Sequence, residues 1–213
     1  LMAINAGKSL VSLPFIGIFD LSLFYPLIII PLGIIGATTT YNFLAGFNGL
    51  ESGQGVILLS AVGIVAFYTG SSWLAVIAFC MVGALFAFLI YNFYPAKIFP
   101  GDSLTYAIGC LVAGIAILGN FEKIAVFFFI PYILETFLKA RGKLRKQSFG
   151  KPMSDGTLDL KYENIYGLEH LAILGMKKSG IKPTEKRVVY LIWGFQMIVI
   201  FIGFVIFWEG IFS

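Results

Sequence analysis

Charge is what this chain has least of. Only 12% of its 213 residues are Asp, Glu, Lys or Arg, against 59% that are hydrophobic. No charged residue occurs from Leu21 to Leu50, and none from Ser52 to Ala96. A soluble domain spreads charge along its whole surface, so that class is excluded. Strands of about ten alternating residues, the mark of a transmembrane barrel, are also missing. Cysteine is scarce too. Cys80 and Cys110 both fall within apolar runs, read as small fillers, and define no disulfide framework. The single histidine, His170, reads as a surface-helix residue. Its scarcity disarms one motif: Gly101-Asp102-Ser103-Leu104 matches a serine-hydrolase signature, but Gly167-Leu168-Glu169 offers no Asp three positions before His170. Residues 1–20 hold one Lys8 and no cleavable signal pattern. No nucleic-acid recognition motif accompanies the basic residues, so nucleic acid is not an expected partner.

What is present is a series of apolar runs. A spanning helix needs roughly 20 mostly apolar residues. Six such spans fit, at 23–46, 54–70, 72–92, 104–120, 122–140 and 188–210. The expected fold is therefore an all-α polytopic membrane protein of about six transmembrane helices, a single membrane domain over 1–213. One insertion, 141–187, interrupts it and holds eleven of the fifteen Lys and Arg. Such a segment stays cytoplasmic, although the same charge also suits anionic lipid headgroups or a phosphorylated substrate. Within the insertion, Asp155-Gly156 predicts a small β-hairpin over 152–162. Ile165, Leu168, Leu171 and Ala172 predict an amphipathic helix over 163–178 lying on the membrane surface. Counting spans back from this loop places the 47–53 and 93–103 connections in the cytoplasm, and both chain ends outside.

Those two connections carry polar islands, and polar groups near a membrane are costly and so functional by default. The first is Asn42-Phe-Leu-Ala-Gly46-Phe-Asn48-Gly-Leu-Glu51-Ser-Gly-Gln54. Thr38, Thr39 and Asn42 share one helix face. Asn42 offers a neutral oxygen to a hard cation, but the same stripe also reads as interhelical glue. Glu51 taken alone reads as a solvated loop acid. The second island is Tyr94-Pro-Ala-Lys97-Ile-Phe-Pro-Gly101-Asp102. Asp102 opens an apolar helix, where an Asp is commonly an N-cap. It is equally a carboxylate for Mg²⁺ beside a helix N-terminus that can receive phosphate, with Lys97 nearby.

Together, Asn42–Gln54 and Asn92-Phe-Tyr-Pro-Ala-Lys-Ile-Phe-Pro-Gly-Asp102 resemble the polyprenyl-phosphate N-acetylhexosamine-1-phosphate transferases. Within that family they look closest to the eukaryotic or archaeal branch using UDP-GlcNAc and dolichyl phosphate. The resemblance runs from about residue 15 to 162. It implies that Asn42 and Asp102 hold Mg²⁺, or Mn²⁺ in its place, as the catalytic metal site with Lys97. It implies that Gly46, Asn48 and Glu51 shape a uridine pocket, that Asn92 belongs to the same substrate site, and that a loop with Arg145 and Lys146 closes over the sugar. The lipid phosphate would attack the β-phosphorus of UDP-GlcNAc and release UMP, the first step of lipid-linked oligosaccharide synthesis for N-glycosylation. Implied partners are UDP-GlcNAc, polyprenyl or dolichyl phosphate and membrane lipids, with a second copy of the chain open. The membrane would be the plasma membrane of an archaeon or the endoplasmic reticulum of a eukaryote.

The chain also departs from the pattern. Thr39 stands where the family has Asn, and the paired aspartates that precede this region in the family have no counterpart. The family carries about four further N-terminal spans, so truncation is expected. Three alternatives stay open: a related transferase using another UDP-sugar, a transporter or channel lined by the islands, and an inactive fragment that binds lipid.

Overall fold

The computed structural model describes residues 10–13, 17–20 and 24–212. Lys8, residue 23 at the start of the first expected span, and the outermost chain ends lie outside the described residues. Among the described residues, five helices are long and apolar enough to cross a membrane: α1 (Tyr25–Phe43), α2 (Leu50–Tyr68), α3 (Ser72–Asn92), α4 (Gly101–Gly119) and α8 (Glu185–Ile206). Two short strands, β1 (Leu10–Leu13) and β2 (Gly17–Asp20), precede α1 and pair antiparallel, with Leu10 opposite Asp20. The apolar pattern had not signalled this hairpin.

The span expected at 122–140 is built as two helices, α5 (Glu122–Phe128) and α6 (Ile130–Arg141), which meet at Phe129. Pro131 causes the break. It has no N–H to give and its ring crowds the carbonyl four residues back, so it is accommodated only in the first turn of a new helix. At the break, Gln196 of α8 donates its side-chain N–H to the Phe128 carbonyl at 2.9 Å. An unmet backbone group away from water would cost several kcal/mol, on the order given for hydrocarbon.

The helix α2 lies at the centre. Its most apolar window is 78% buried, against 11% for α1. It packs on α3, α4 and α8 through Leu58, Leu59, Val62 and Val65, all fully buried. The helices α1 and α4 cross in close contact, because Gly109 presents no side chain: a Cβ there would lie 2.7 Å from both the Ala37 carbonyl oxygen and Thr38 Cα. This crossing brings the end of α1 beside the start of α4.

The insertion folds against the same end of the bundle. Strands β3 (Lys151–Pro152) and β4 (Leu158–Asp159) form the expected hairpin, Lys151 opposite Asp159. Its turn is held by Asp155 Oδ1, which accepts from Thr157 N–H at 3.1 Å and from Thr157 Oγ1 at 2.6 Å. The helix α7 (Leu168–Lys178) starts later than the apolar spacing predicts, leaving Ile165 before it. Leu168, Ala172, Ile173 and Met176 are buried towards α6 and α8, whereas Leu171 is exposed. His170 is not a surface residue: it is fully buried. Its helix is amphipathic, but the buried face is turned into the protein. A short α9 (Trp208–Phe212) closes the described chain.

Candidate active site

At the end of the bundle that carries the insertion, a cavity of about 480 Å³ opens between α1, α2 and α4. Its wall combines Asn42, Gly46 and Glu51 of the first island with Asn92 and Asp102 of the second. Phe149, from the insertion, closes one side. Two sequence islands, whose Asn42 and Asp102 are 60 residues apart, thus share one chamber, as the charge-based count of spans anticipates.

Asp102 sits in the first turn of α4, yet it does not cap that helix: the N-cap position is Pro100 and no side-chain cap bond forms. Among the described residues its carboxylate has no hydrogen bond or ion pair, and it is exposed to the cavity. The capping role weighed for it is therefore absent. Asn42 faces it from the last turn of α1. Its Oδ1 accepts from the Thr105 hydroxyl at 2.7 Å, and its Nδ2 approaches Tyr106 Oη at 3.4 Å. The Thr105 oxygen also lies 3.0 Å from the Asp102 carbonyl. One hydroxyl thus ties the amide of α1 to the turn that carries the acid. A carboxamide oxygen has two lone pairs, so one remains for a ligand. The neighbouring Thr38 plays no such part, since its hydroxyl bonds back to Ile34 and Ile35 of its own helix.

Glu51 is buried in the first turn of α2 and is not a solvated loop acid. Its Oε1 accepts from the Gly46 N–H at 2.7 Å, and its Oε2 is buried without a partner. Gly46 has φ +135°, and a Cβ on it would meet the Phe149 ring at 2.5 Å. Both the backbone conformation and the ring exclude a side chain here. Asn92 lines the cavity, but both ends of its amide are engaged: Oδ1 accepts from Ser52 Oγ at 2.5 Å, and Nδ2 donates to the Ile98 carbonyl at 2.9 Å. It anchors the second island to α2.

The remaining expected residues lie off the cavity wall. Asn48 donates its N–H to Glu185 Oε1 at 2.7 Å, which pins the first island to the start of α8. Lys97 is exposed beyond the lining. Arg145 and Lys146 are exposed as well, and the Lys146 ammonium sits 4.9 Å from the Tyr162 ring centroid.

Phe149 is held from behind by His170. The Tyr166 N–H donates to Nδ1 at 3.3 Å, so Nε2 carries the proton and donates to the Phe149 carbonyl, also at 3.3 Å. That arrangement needs a neutral ring. Burial pushes the His170 pKa below its ordinary 6.5, which favours the neutral form. Glu169, beside it, is pushed well above its ordinary value, first by burial and then by the charge of Glu135.

Comparison with known proteins locates this site in a family. The family model described as "Glycosyl transferase family 4" matches residues 1–120, more than half of the chain and all of both islands. The chain belongs to glycosyl transferase family 4. A relative from Saccharolobus solfataricus, provisionally named a UDP-N-acetylglucosamine–dolichyl-phosphate N-acetylglucosaminephosphotransferase, is 39% identical over 93% of this chain and 60% of its own length. A similarly named protein from Sulfolobus acidocaldarius is 33% identical over 93% of the chain and 59% of its own. A phospho-N-acetylmuramoyl-pentapeptide-transferase from Listeria monocytogenes is 35% identical over 62% of the chain and 41% of its own. This family 4 chain thus spans about three fifths of the length of the archaeal relatives it matches, and shares more of itself with them than with the bacterial one.

Two cavity residues lie outside both islands, Thr105 and Phe149, and Phe99 lies in the second island without having been given a role. Thr105 was within reach, three residues after Asp102 and so on its helix face. Phe149 carried no signal, because a loop aromatic acquires its role only through folding.

Proposed function

We propose that the protein transfers GlcNAc-1-phosphate from UDP-GlcNAc to a polyprenyl or dolichyl phosphate at the cytoplasmic face of the membrane. The observation that carries this reading is the free Asp102 carboxylate sharing one cavity with the Asn42 amide, at the start of a helix. One carboxylate with one neutral oxygen fits Mg²⁺, which binds through few protein ligands and completes its shell with phosphate and water. Mn²⁺ suits the same donors. When bound, the metal supplies neutralisation of charge on the diphosphate during phosphoryl transfer.

The chain's own groups supply the rest. The first N–H groups of α4 have no partner within the helix and suit a phosphate. Phe99, exposed at the cavity, offers a flat aromatic face to a base. Glu51 shapes the wall for the nucleoside by holding the Gly46 N–H through its Oε1. Between α1, α4 and α5, a separate apolar groove of about 260 Å³ runs along Gly33, Gly36, Ala113 and Val126. Its lining includes Thr40, two residues from Asn42, so α1 borders both spaces. A prenyl tail in that groove would bring its phosphate towards the cavity, where its oxygen attacks the β-phosphorus and UMP leaves. The basic insertion, at the same end of the bundle, supports a cytoplasmic cavity by the positive-inside rule.

The test is labelled UDP-GlcNAc with Mg²⁺ added to membranes carrying the protein. Asp102→Asn is expected to abolish lipid-linked label without changing the amount of folded protein. Label retained by that variant overturns the reading.

A further inference from the structure

The cavity wall depends on two charged residues that do not touch the cavity. Glu135 on α6 is fully buried. A buried carboxylate costs several kcal/mol, in the range known for ions out of water, unless it is paired and hydrogen-bonded. Glu135 is held on three sides. Its Oε2 accepts from the Leu168 N–H at 2.6 Å, at the start of α7. Its Oε1 lies 3.4 Å from Ser148 Oγ, which donates to it, and 3.7 Å from the Lys139 ammonium one turn along α6. Lys139 reaches the other way and donates to the Phe43 carbonyl, the residue after Asn42. It also sits 5.4 Å from the Phe43 ring centroid. A cation there suits the unpaired carbonyls at the end of α1.

We infer that the Glu135–Lys139 pair positions the site: it ties the end of α1 that presents Asn42 to the loop that presents Phe149 and to the first turn of α7. Neither residue lines the cavity, so both act through others. The pair adds a polar link between the segments that carry the cavity's amide and its aromatic wall, which lie about 100 residues apart and also meet where the Phe47 and Phe149 rings pack edge to face, centroids 6.4 Å apart. Their role in turnover rests on the transferase reading, whereas their role in holding the two walls together does not.

Hydrogen exchange of the full chain in lipid nanodiscs tests the link directly. Lys139→Met and Glu135→Gln each are expected to speed amide exchange in both 43–50 and 143–150. Lys177→Met, which breaks only the exposed pair with Asp159 at 2.6 Å, is expected to change neither segment. Glu135→Gln keeps the size and an acceptor for Leu168, so it remains informative where Glu135→Ala fails to fold. Exchange altered in one wall only, or in neither, overturns the inference. In the transfer assay, Lys139→Met is expected to lower kcat about 10- to 100-fold, the usual cost of losing a group that orients a ligand, with KM for the nucleotide near wild type. Lys139→Arg, which still reaches a single carbonyl, is expected to recover kcat. A Lys139→Met enzyme with unchanged kcat overturns the catalytic part. If the unaltered protein yields no lipid-linked label, the transferase reading fails, and the exchange result still decides whether the pair joins the walls.

Discussion

The Asn42 carboxamide is held at both ends by hydroxyl groups. Its oxygen takes the Thr105 hydroxyl and its nitrogen turns to Tyr106, which leaves a lone pair of the oxygen for a ligand. Thr105 is buried, so its hydroxyl is a fixed part of the wall and not a surface group. Thr105→Val keeps the shape and removes that hydroxyl. The expected outcome is a transfer rate lowered about 10- to 100-fold with a raised Mg²⁺ requirement, as for other groups that orient metal ligands. A Mg²⁺ titration of transfer checks it, and an unchanged midpoint would free Asn42 from the metal role. Gly46 makes a second case at this scale. Gly46→Ala must expel the Phe149 ring and adopt a backbone conformation that side chains resist, so it is expected to open the cavity wall and weaken nucleotide binding. Calorimetric titration with UDP-GlcNAc reads that loss.

Among the elements, the α1–α4 crossing sets the distance between the two candidate ligands. The spacing rests on Gly109, whose missing Cβ lets the backbone of α1 approach. Gly109→Ala places a methyl against backbone that cannot rotate away. Overpacking of this kind costs about 1–3 kcal/mol, and the helices are expected to spread and take Asn42 from Asp102. A fall in both melting temperature and transfer checks this; a fall in melting temperature alone would show the site to tolerate the spread.

The helix α7 carries a different prediction. Glu169 keeps a proton in the folded state that it loses in the unfolded chain above its ordinary value of 4.5. Folding therefore loses stability as pH rises from 4.5 towards the raised value. His170 works in the opposite sense: held neutral when folded, it loses stability as pH falls below its ordinary 6.5. Glu169→Gln removes the first slope and leaves the second. The variant's advantage in melting temperature over the natural chain is expected to widen as pH rises above the ordinary carboxylate value of 4.5. A constant difference across that range would mean Glu169 is charged in the fold.

For the whole molecule, the spans and the shared cavity were legible because hydrophobicity adds along a chain and charge marks the ends of helices. The break at Phe129 was harder to read, since the apolar run continues through Pro131 and only the helix geometry fails there. The burial of Glu51, Glu135, Glu169 and His170 was not legible at all. Burial depends on which segments pack together, and for Glu135 the partner, the Leu168 N–H, lies 33 residues on. The same distribution of charge makes the final prediction. Eleven of the fifteen Lys and Arg lie in 141–187, and the cavity opens at the end that this segment covers. By the positive-inside rule the cavity is expected in the cytoplasm and the α2–α3 turn outside. Ser72 and Ser154 are both exposed, one at that turn and one in the β3–β4 hairpin loop. In a chain with Cys80 and Cys110 changed to Ala, a cysteine at 72 is expected to react with an impermeant maleimide on intact cells. A cysteine at 154 is expected to react only after the membrane is opened. The reverse pattern would place the cavity outside, away from any cytoplasmic pool of UDP-sugar, and the proposed reaction would lose its donor.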